Sequence, residues 1–147
     1  MPYFIRQHAK RKQTEKIMNL ADKQVLLVDD QPANLDRYML VLQRIGVRDL
    51  NISQTINGMQ ASVELLTSRP DLIITDWNMP ITDGLEYVKR LREVVKTEAQ
   101  VVMVTAADEK RMAEVEPYVD GWLQKPYTLS DFETVIRSVM ATATEET

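Results

Sequence analysis

The sequence predicts an α/β fold in which a parallel sheet is covered by helices on both faces. Three runs are almost entirely apolar, VLLV at 25–28, LIIT at 72–75 and QVVMVT at 100–105. Continuous rather than alternating apolar strands are typical of sheets buried on both faces. Segments with helical spacing of apolar residues separate the runs. The alternation repeats five times, which favours a doubly wound parallel sheet.

The first half of the domain supplies two of the five strand–helix pairs. The strand at 25–28 is followed by Pro32, whose fixed φ suits the first position of a helix. Gly46 follows the last apolar position of that helix and fits its left-handed end. A weaker strand at 51–56 precedes a short helix predicted at 59–68.

The second half continues the alternation with three more pairs. The predicted strands are 72–75, 100–105 and 121–124, and the predicted helices are 84–95, 108–118 and a last helix beginning at Ser130. Ser130 and Glu133 have the spacing of a capping box, in which each side chain bonds the other residue's backbone N–H.

Charge divides the chain into a basic arm and an acidic body. Residues 1–24 carry six basic and two acidic side chains, and the remainder carries 12 basic and 20 acidic ones, so net charges of +4 and −8 sum to −4. We expect an N-terminal arm over 1–23 that is partly helical, a domain over 24–140 and a frayed tail over 141–147. A partner-binding or membrane-surface role for the arm stays open. An acidic body argues against binding nucleic acid.

Composition excludes several other classes of protein. The chain has no cysteine, which excludes disulfides and thiolate metal sites and fits a reducing cytoplasm. No apolar run reaches the ~18 residues of a membrane span. The N-terminus lacks the apolar core of a secretory signal. We therefore predict a cytoplasmic protein without stable membrane insertion, and we expect the single histidine, His8, to be a surface residue.

Five polar side chains follow the predicted strands at one edge of the sheet. Asp29 and Asp30 follow the first strand, Asp76 the third, Thr105 the fourth and Lys125 the fifth. Each has an ordinary explanation by itself, such as helix capping, a β-branched strand residue or a solvated charge. Ligands of parallel sheets bind beyond the carboxyl ends of the strands, so the group as a whole predicts a functional site.

The residue types at this edge point to phosphoryl chemistry. Converging carboxylates repel each other, and a hard divalent cation relieves that repulsion. Mg²⁺ prefers such oxygen ligands. A carboxylate beside the metal is a nucleophile that can form an aspartyl-phosphate. Phosphoryl transfer depends on positioning and on charge neutralisation, to which Lys125 and Thr105 would contribute.

Four motifs connect these residues to a known family. LLVDD at 26–30, DWNMPITDG at 76–84, VVMVTA at 101–106 and KP at 125–126 recur in order. The sequence resembles the receiver domain of two-component response regulators, and within it the CheY-like single-domain kind, over about residues 24–140. The resemblance implies a flavodoxin-like (βα)5 sheet with strand order 2-1-3-4-5.

The resemblance also implies a role for each site residue. Asp76 matches the phospho-acceptor. Asp29, Asp30, Asp76 and the backbone carbonyl of Asn78 match the ligands of Mg²⁺. Lys125 matches the lysine that contacts the phosphoryl group, with a cis bond to the following proline. Thr105 contacts the phosphoryl group as well, and Thr105 and Trp122 match the switch pair. The implied partner face comprises Glu109, Lys110, Arg111, Glu114, Trp122 and Tyr127.

Three segments depart from the family pattern. Trp122 stands where Tyr or Phe is usual, which affects the amplitude of switching. The loop INGMQA at 56–61 lacks the usual acidic residue, with little expected effect on chemistry. PYVDGW at 117–122 replaces the usual small Gly-Ala pair, so we expect the fourth helix to end differently.

The predicted function is that of a stand-alone receiver rather than an enzyme. A histidine kinase or phosphotransfer protein would phosphorylate Asp76, and a downstream signalling protein would bind the switched face, with the chain a monomer or weak dimer. The motif DWNMP favours a chemotaxis-like role. One alternative is a degenerate or phosphate-sink receiver that binds independently of phosphorylation.

Two further alternatives fit the sequence less well. A phosphatase resembling the haloacid dehalogenases would carry a second Asp where Asn78 stands. A flavodoxin would need a Ser/Thr/Gly-rich phosphate loop where DDQPAN occurs at 29–34.

Overall fold

The computed structural model describes residues 3–6, 19–77 and 84–146, which form a six-stranded sheet flanked by helices. The strands are β1 Tyr3–Ile5, β2 Val25–Val28, β3 Ile52–Thr55, β4 Leu72–Asp76, β5 Gln100–Thr105 and β6 Gly121–Gln124. The helices are α1 Pro32–Arg44, α2 Gly58–Glu64, α3 Gly84–Glu93, α4 Glu109–Met112 and α5 Leu129–Glu146, with short 3₁₀ segments at Asp49–Asn51 and Glu116–Tyr118.

The sheet has the order β1-β6-β5-β4-β2-β3. Strands β2 to β6 are mutually parallel, and they correspond to the five strands predicted from the sequence. Their order is therefore 2-1-3-4-5 in the predicted numbering, which confirms the flavodoxin-like fold. Strand β1 adds an antiparallel strand at the edge of β6.

The side chains of β2 belong to two separate hydrophobic clusters, one on each face of the sheet. In β2, Val25 and Leu27 pack with α1 and α5, whereas Leu26 and Val28 pack with α2, α3 and α4. Successive strand residues point to opposite faces, and burial of both sets requires helices on both sides. Burying each such side chain stabilises the fold by about 1.5–3 kcal/mol.

Helix α1 begins and ends where the sequence predicts. Pro32 occupies the first turn, and Gly46 follows the helix with a φ of 99°. Helices α2 and α3 are shorter than predicted. Beyond α3, Lys96 adopts a left-handed φ of 58°, and its neighbour Thr97 donates its backbone N–H to the Leu91 carbonyl at 2.9 Å. The chain leaves the helical path there, so the predicted helix to 95 is too long.

The described residues of the N-terminal arm, which we expect to be partly helical, are not in a helix. Residues 3–5 are extended and pair with Leu123, Trp122 and Gly121 of β6. Their three side chains are all apolar or aromatic, and β-type pairing lets them contact both faces of the sheet edge. Residues 7–18, including His8, lie outside the described residues.

The predicted helix over 108–118 is two short segments instead. Helix α4 ends at Met112, and a 3₁₀ turn covers Glu116–Tyr118. Pro117 has no backbone N–H and its ring clashes with the carbonyl four residues earlier, so an α-helix cannot continue through it. That this end differs from the family pattern stays a prediction.

Helix α5 begins at Leu129, one residue earlier than predicted, and uses a different capping box. Asp131 donates its backbone N–H to the Thr128 hydroxyl at 3.0 Å, and Thr128 donates its N–H to the Asp131 carboxylate at 3.5 Å. Ser130 and Glu133 lie inside the helix. The helix backbone continues to Glu146, where the sequence had suggested fraying from residue 141.

None of the helices in the described ranges combines the length and the apolar character that crossing a bilayer requires.

Candidate functional site

Three carboxylates meet at the carboxyl edge of the sheet. Asp29 and Asp30 follow β2, and Asp76 ends β4, the strand that pairs directly with β2. One carboxylate oxygen from each of the three lies within 4.8 Å of the others. The structure thus brings together the acidic residues that the sequence singled out. Asn78, the expected backbone ligand, lies outside the described residues.

Asp29 is fully buried and held by three donors. Its Oδ1 accepts the Gln31 backbone N–H at 2.9 Å and the Asn34 side-chain amide at 3.3 Å. Its Oδ2 accepts the Tyr38 hydroxyl at 2.6 Å. Hydrogen bonds to a charged acceptor are stronger than neutral ones, and these three fix the orientation of the carboxylate.

The contact of Tyr38 with Asp29 is not evident from the sequence pattern. Burial raises the pKa of Tyr38 far above its usual value, and the negative charge of Asp29 raises it further. The hydroxyl therefore remains a proton donor to Asp29 at all ordinary pH values. Helical spacing identifies the inward face of α1, but it does not say which strand end that face meets.

Asp76 faces a cation across the neighbouring strand. The Lys125 ammonium lies 3.6 Å from Asp76 Oδ2, and the two side chains are 29% and 5% exposed. The Lys125–Pro126 peptide bond is cis, as the resemblance implied. Lys125 also donates its backbone N–H to the Thr105 carbonyl at 2.7 Å, which connects the end of β6 to the end of β5.

Thr105 is buried at the end of β5. Its hydroxyl oxygen accepts the backbone N–H of Ala107 at 3.0 Å, a local bond that shapes the turn after the strand. The hydroxyl proton remains available for another acceptor at this edge, because the bond to Ala107 uses only an oxygen lone pair.

Trp77 follows Asp76 in the chain and is buried in the hydrophobic cluster beneath α3 and α4. The residue is only 4% exposed. The Arg111 guanidinium of α4 lies 4.9 Å from its ring centre, within the range of a cation–π contact. A side chain at Gly84 would come within 2.8 Å of the Trp77 backbone, so α3 can begin here only with glycine.

The expected partner face is only partly assembled. Lys110, Arg111 and Glu114 are exposed. Trp122 is 3% exposed, and its indole stacks against Phe4 with ring centres 6.3 Å apart. Tyr127 packs in the opposite cluster, edge-on to Phe132 of α5 at 5.4 Å. Trp122 and Tyr127 therefore lie against different faces of the sheet.

The acidic cluster fits a hard divalent cation. All three side chains offer oxygen, and their spacing allows shared coordination of one ion. Mg²⁺ binds through a few carboxylates and keeps several waters, which suits a cluster whose member Asp30 is half-buried and reaches solvent. The Lys125 ammonium adds positive charge on the far side of Asp76.

Comparison with known families agrees with the fold. The family model described as the response regulator receiver domain matches residues 25–137. The chain belongs to this family. Receiver domains are signalling modules of two-component systems rather than classical enzymes. The matched range contains Asp29, Asp30, Asp76, Thr105 and Lys125.

Individual relatives share this domain. The two-component response regulator ARR22 of Arabidopsis thaliana is 35% identical over 124 residues, which cover 78% of this chain and 84% of that protein. The phosphate regulon transcriptional regulatory protein PhoB of Pseudomonas aeruginosa is 27% identical over 124 residues, 82% of this chain and 53% of that protein. The receiver thus spans about half the length of several regulators that it matches.

A solved structure of the same family superposes over most of the chain. The chemotaxis response regulator CheY4 of Vibrio cholerae has a TM-score of 0.70 and 27% identity, and the match covers 80% of this chain and 98% of that one. The match therefore includes most of this chain and nearly the whole of the solved one.

Proposed function

We propose that this receiver is phosphorylated on Asp76 with Mg²⁺, by a histidine kinase or phosphotransfer protein, and that it signals from the cytoplasm through a phosphorylation-switched protein-binding face. The observation that carries the proposal is the cluster of Asp29, Asp30 and Asp76 with Lys125 at the carboxyl edge of the sheet. The downstream role is chemotaxis-like or belongs to a related signalling pathway.

The chemistry follows from the side chains at this edge. An oxygen of Asp76 forms a bond to phosphorus while the bond between phosphorus and the donor's histidine nitrogen breaks, and the nitrogen keeps the electron pair. Lys125 lies close enough to Asp76 to neutralise a phosphoryl oxygen. The Thr105 hydroxyl can donate to another. Bound Mg²⁺, held by Asp29, Asp30 and Asp76 with the Asn78 carbonyl, would neutralise the remaining charge.

Position favours Asp76 as the acceptor among the three carboxylates. Asp29 is held by three hydrogen-bond donors, which fix its carboxylate in one orientation. Asp30 is more exposed and suits a metal ligand. Asp76 lies between the acidic pair and Lys125, where an incoming phosphoryl group would meet the metal on one side and the ammonium on the other.

The test is an intact-mass measurement of the full chain after incubation with Mg²⁺ and acetyl phosphate. Wild type should gain one phosphoryl group, and Asp76→Asn should gain none because an amide is not a nucleophile here. Asp49→Asn is a matched control, since it changes an exposed carboxylate far from the site and should leave phosphorylation unchanged. EDTA added at the start should abolish the gain.

The same measurement can contradict the proposal. Phosphorylation of Asp76→Asn at the wild-type rate would refute the assignment of the acceptor. A folded wild-type protein that gains no phosphoryl group, either from acetyl phosphate or from a histidine-phosphorylated donor, would favour the alternative of a binding module independent of phosphorylation.

A further inference from the structure

Strand β1 covers the hydrogen-bonding edge of β6. The pairs are Tyr3 with Leu123, Phe4 with Trp122 and Ile5 with Gly121. Without this strand, β6 would present unpaired backbone groups at the end of the sheet, which is a template for pairing with another extended segment. The edge is therefore suited to strand addition, and the chain's own N-terminus occupies it.

The side chains of β1 pack against both faces of the sheet at this edge. Tyr3 and Ile5 pack against the cluster that contains α5, and Phe4 packs against the cluster that contains Trp122. The Phe4 and Trp122 rings are nearly parallel, with 21° between their planes. Phe4 thus covers the indole that the family resemblance places at the switch position.

Gly121 is required for this close approach. A β-carbon at position 121 would lie 2.9 Å from the Phe4 carbonyl oxygen and 3.1 Å from a methyl group of Val139. Because Gly121 has no side chain, the edge of β6 leaves room for the backbone of β1 at this position. Glycine within a strand often marks such a close approach.

Arg6 anchors the end of the strand on backbone carbonyls that precede β6. Its backbone N–H donates to the Asp120 carbonyl at 2.7 Å, and its guanidinium donates to the Val119 carbonyl at 3.1 and 3.0 Å. The guanidinium also donates to the Glu116 carbonyl of the 3₁₀ turn. Phe4 and Arg6 therefore each contact a specific group, because Phe4 stacks on the Trp122 ring and Arg6 bonds backbone carbonyls.

We infer that the β6 edge is a strand-binding site and that residues 3–6 are its intramolecular ligand. A downstream protein that docks on this edge would present an extended segment with an aromatic residue and, two positions later, an arginine, and it would have to displace β1. Displacement is feasible because a short edge strand belongs to the least stable part of a fold. The inference goes beyond the proposed phosphorylation and does not depend on it.

The first measurement is hydrogen exchange of the full chain. We expect the amides of residues 3–6 to be protected in wild type and to lose protection in the Phe4→Ala/Arg6→Ala double variant, whose core should remain folded because both side chains lie at the sheet edge. Lys10→Ala/Lys12→Ala is a control that changes the same arm outside β1. Equal protection in wild type and in the Phe4/Arg6 variant would overturn the inference.

The second measurement uses a fluorescent peptide with the sequence of residues 2–7, PYFIRQ. Its anisotropy should report binding to the double variant about tenfold tighter than to wild type, whose own strand competes. A peptide with both Phe and Arg replaced by Ala should not bind. Equal binding to both proteins, or binding to neither, would overturn the inference.

Light scattering measures the oligomeric state and, together with hydrogen exchange, shows whether the strand comes from the same chain or from a second copy. The inference expects protection of residues 3–6 in a monomer, independent of protein concentration. Protection that appears only in a dimer would mean that a second copy donates the strand, and it would overturn the intramolecular assignment. None of these measurements uses Mg²⁺ or a phosphoryl donor, so their outcome is separate from that of the Asp76 experiment.

Discussion

At the scale of single residues, two buried tyrosines have opposite surroundings. The Tyr38 hydroxyl donates to the buried Asp29 carboxylate at 2.6 Å. The Tyr87 hydroxyl of α3 is buried and has no hydrogen-bond partner among the described residues. Burial raises the pKa of Tyr87 well above its usual value, as it does for Tyr38. Comparison of Tyr38 with Tyr87 therefore separates the effect of a hydrogen bond on stability from the effect of burial.

We predict that the two Tyr→Phe substitutions have different effects on stability. Tyr38→Phe should lower the free energy of unfolding by about 2 kcal/mol, because it leaves a buried carboxylate oxygen without its donor. Tyr87→Phe should be neutral or stabilising by about 1 kcal/mol, because it removes a buried hydroxyl that lacks a partner. Urea denaturation at neutral pH measures both. A loss of similar size in the two variants would contradict the role given to the Asp29 contact.

At the scale of elements, α5 begins at a capping box that joins Thr128 and Asp131. The segment also contains Ser130 and Glu133 at the same spacing, and the sequence pattern favoured that pair. Local sequence preference allows the helix to begin at either pair of residues. The position of Pro126 and the packing of Phe132 against Tyr127 and Tyr38 decide where the helix axis meets the sheet.

The two pairs can be distinguished by paired substitutions. Thr128→Ala should lower the free energy of unfolding by about 1 kcal/mol, the usual cost of a lost N-cap. Ser130→Ala, two residues away on the same helix, should change it by less than about 0.5 kcal/mol, as exposed substitutions usually do. Chemical denaturation gives both values. A larger effect at Ser130 would restore the capping box predicted from the sequence.

At the scale of the whole molecule, the site exists only when the sheet is assembled. Asp29 and Asp30 come from one strand, Asp76 from its neighbour and Lys125 from a strand two positions further along the sheet. A cation that binds this group binds the folded state alone. Folding and metal binding are therefore linked, and the acidic cluster lowers the stability of the metal-free protein through repulsion.

This linkage predicts how Mg²⁺ and charge removal act on the melting temperature. Mg²⁺ at about 100 times its dissociation constant should stabilise wild type by about 2.7 kcal/mol, and EDTA should reverse the effect. Asp30→Asn should melt at a higher temperature than wild type without Mg²⁺, and it should respond less to the ion. Asp49→Asn should respond as wild type does. A full Mg²⁺ response in Asp30→Asn would remove Asp30 from the ligand set.

The sequence by itself determined the parallel sheet and the principal polar residues of its edge. Apolar runs and helical spacing are local properties, and they place Asp76, Thr105 and Lys125 at strand ends without knowledge of any contact. Strand ends in a parallel sheet share one edge, so placement along the chain was sufficient to assemble the candidate site.

Only the tertiary structure decided which distant residues contact one another. The Arg6 guanidinium bonds a carbonyl 113 residues further along the chain, and no local pattern encodes such a pairing. Tyr38 reaches Asp29 and Arg111 reaches Trp77 because helix packing sets where each inward face falls against the sheet. The strand at Tyr3–Ile5 has too few residues for a periodic signal, and it forms because β6 offers it an unpaired edge.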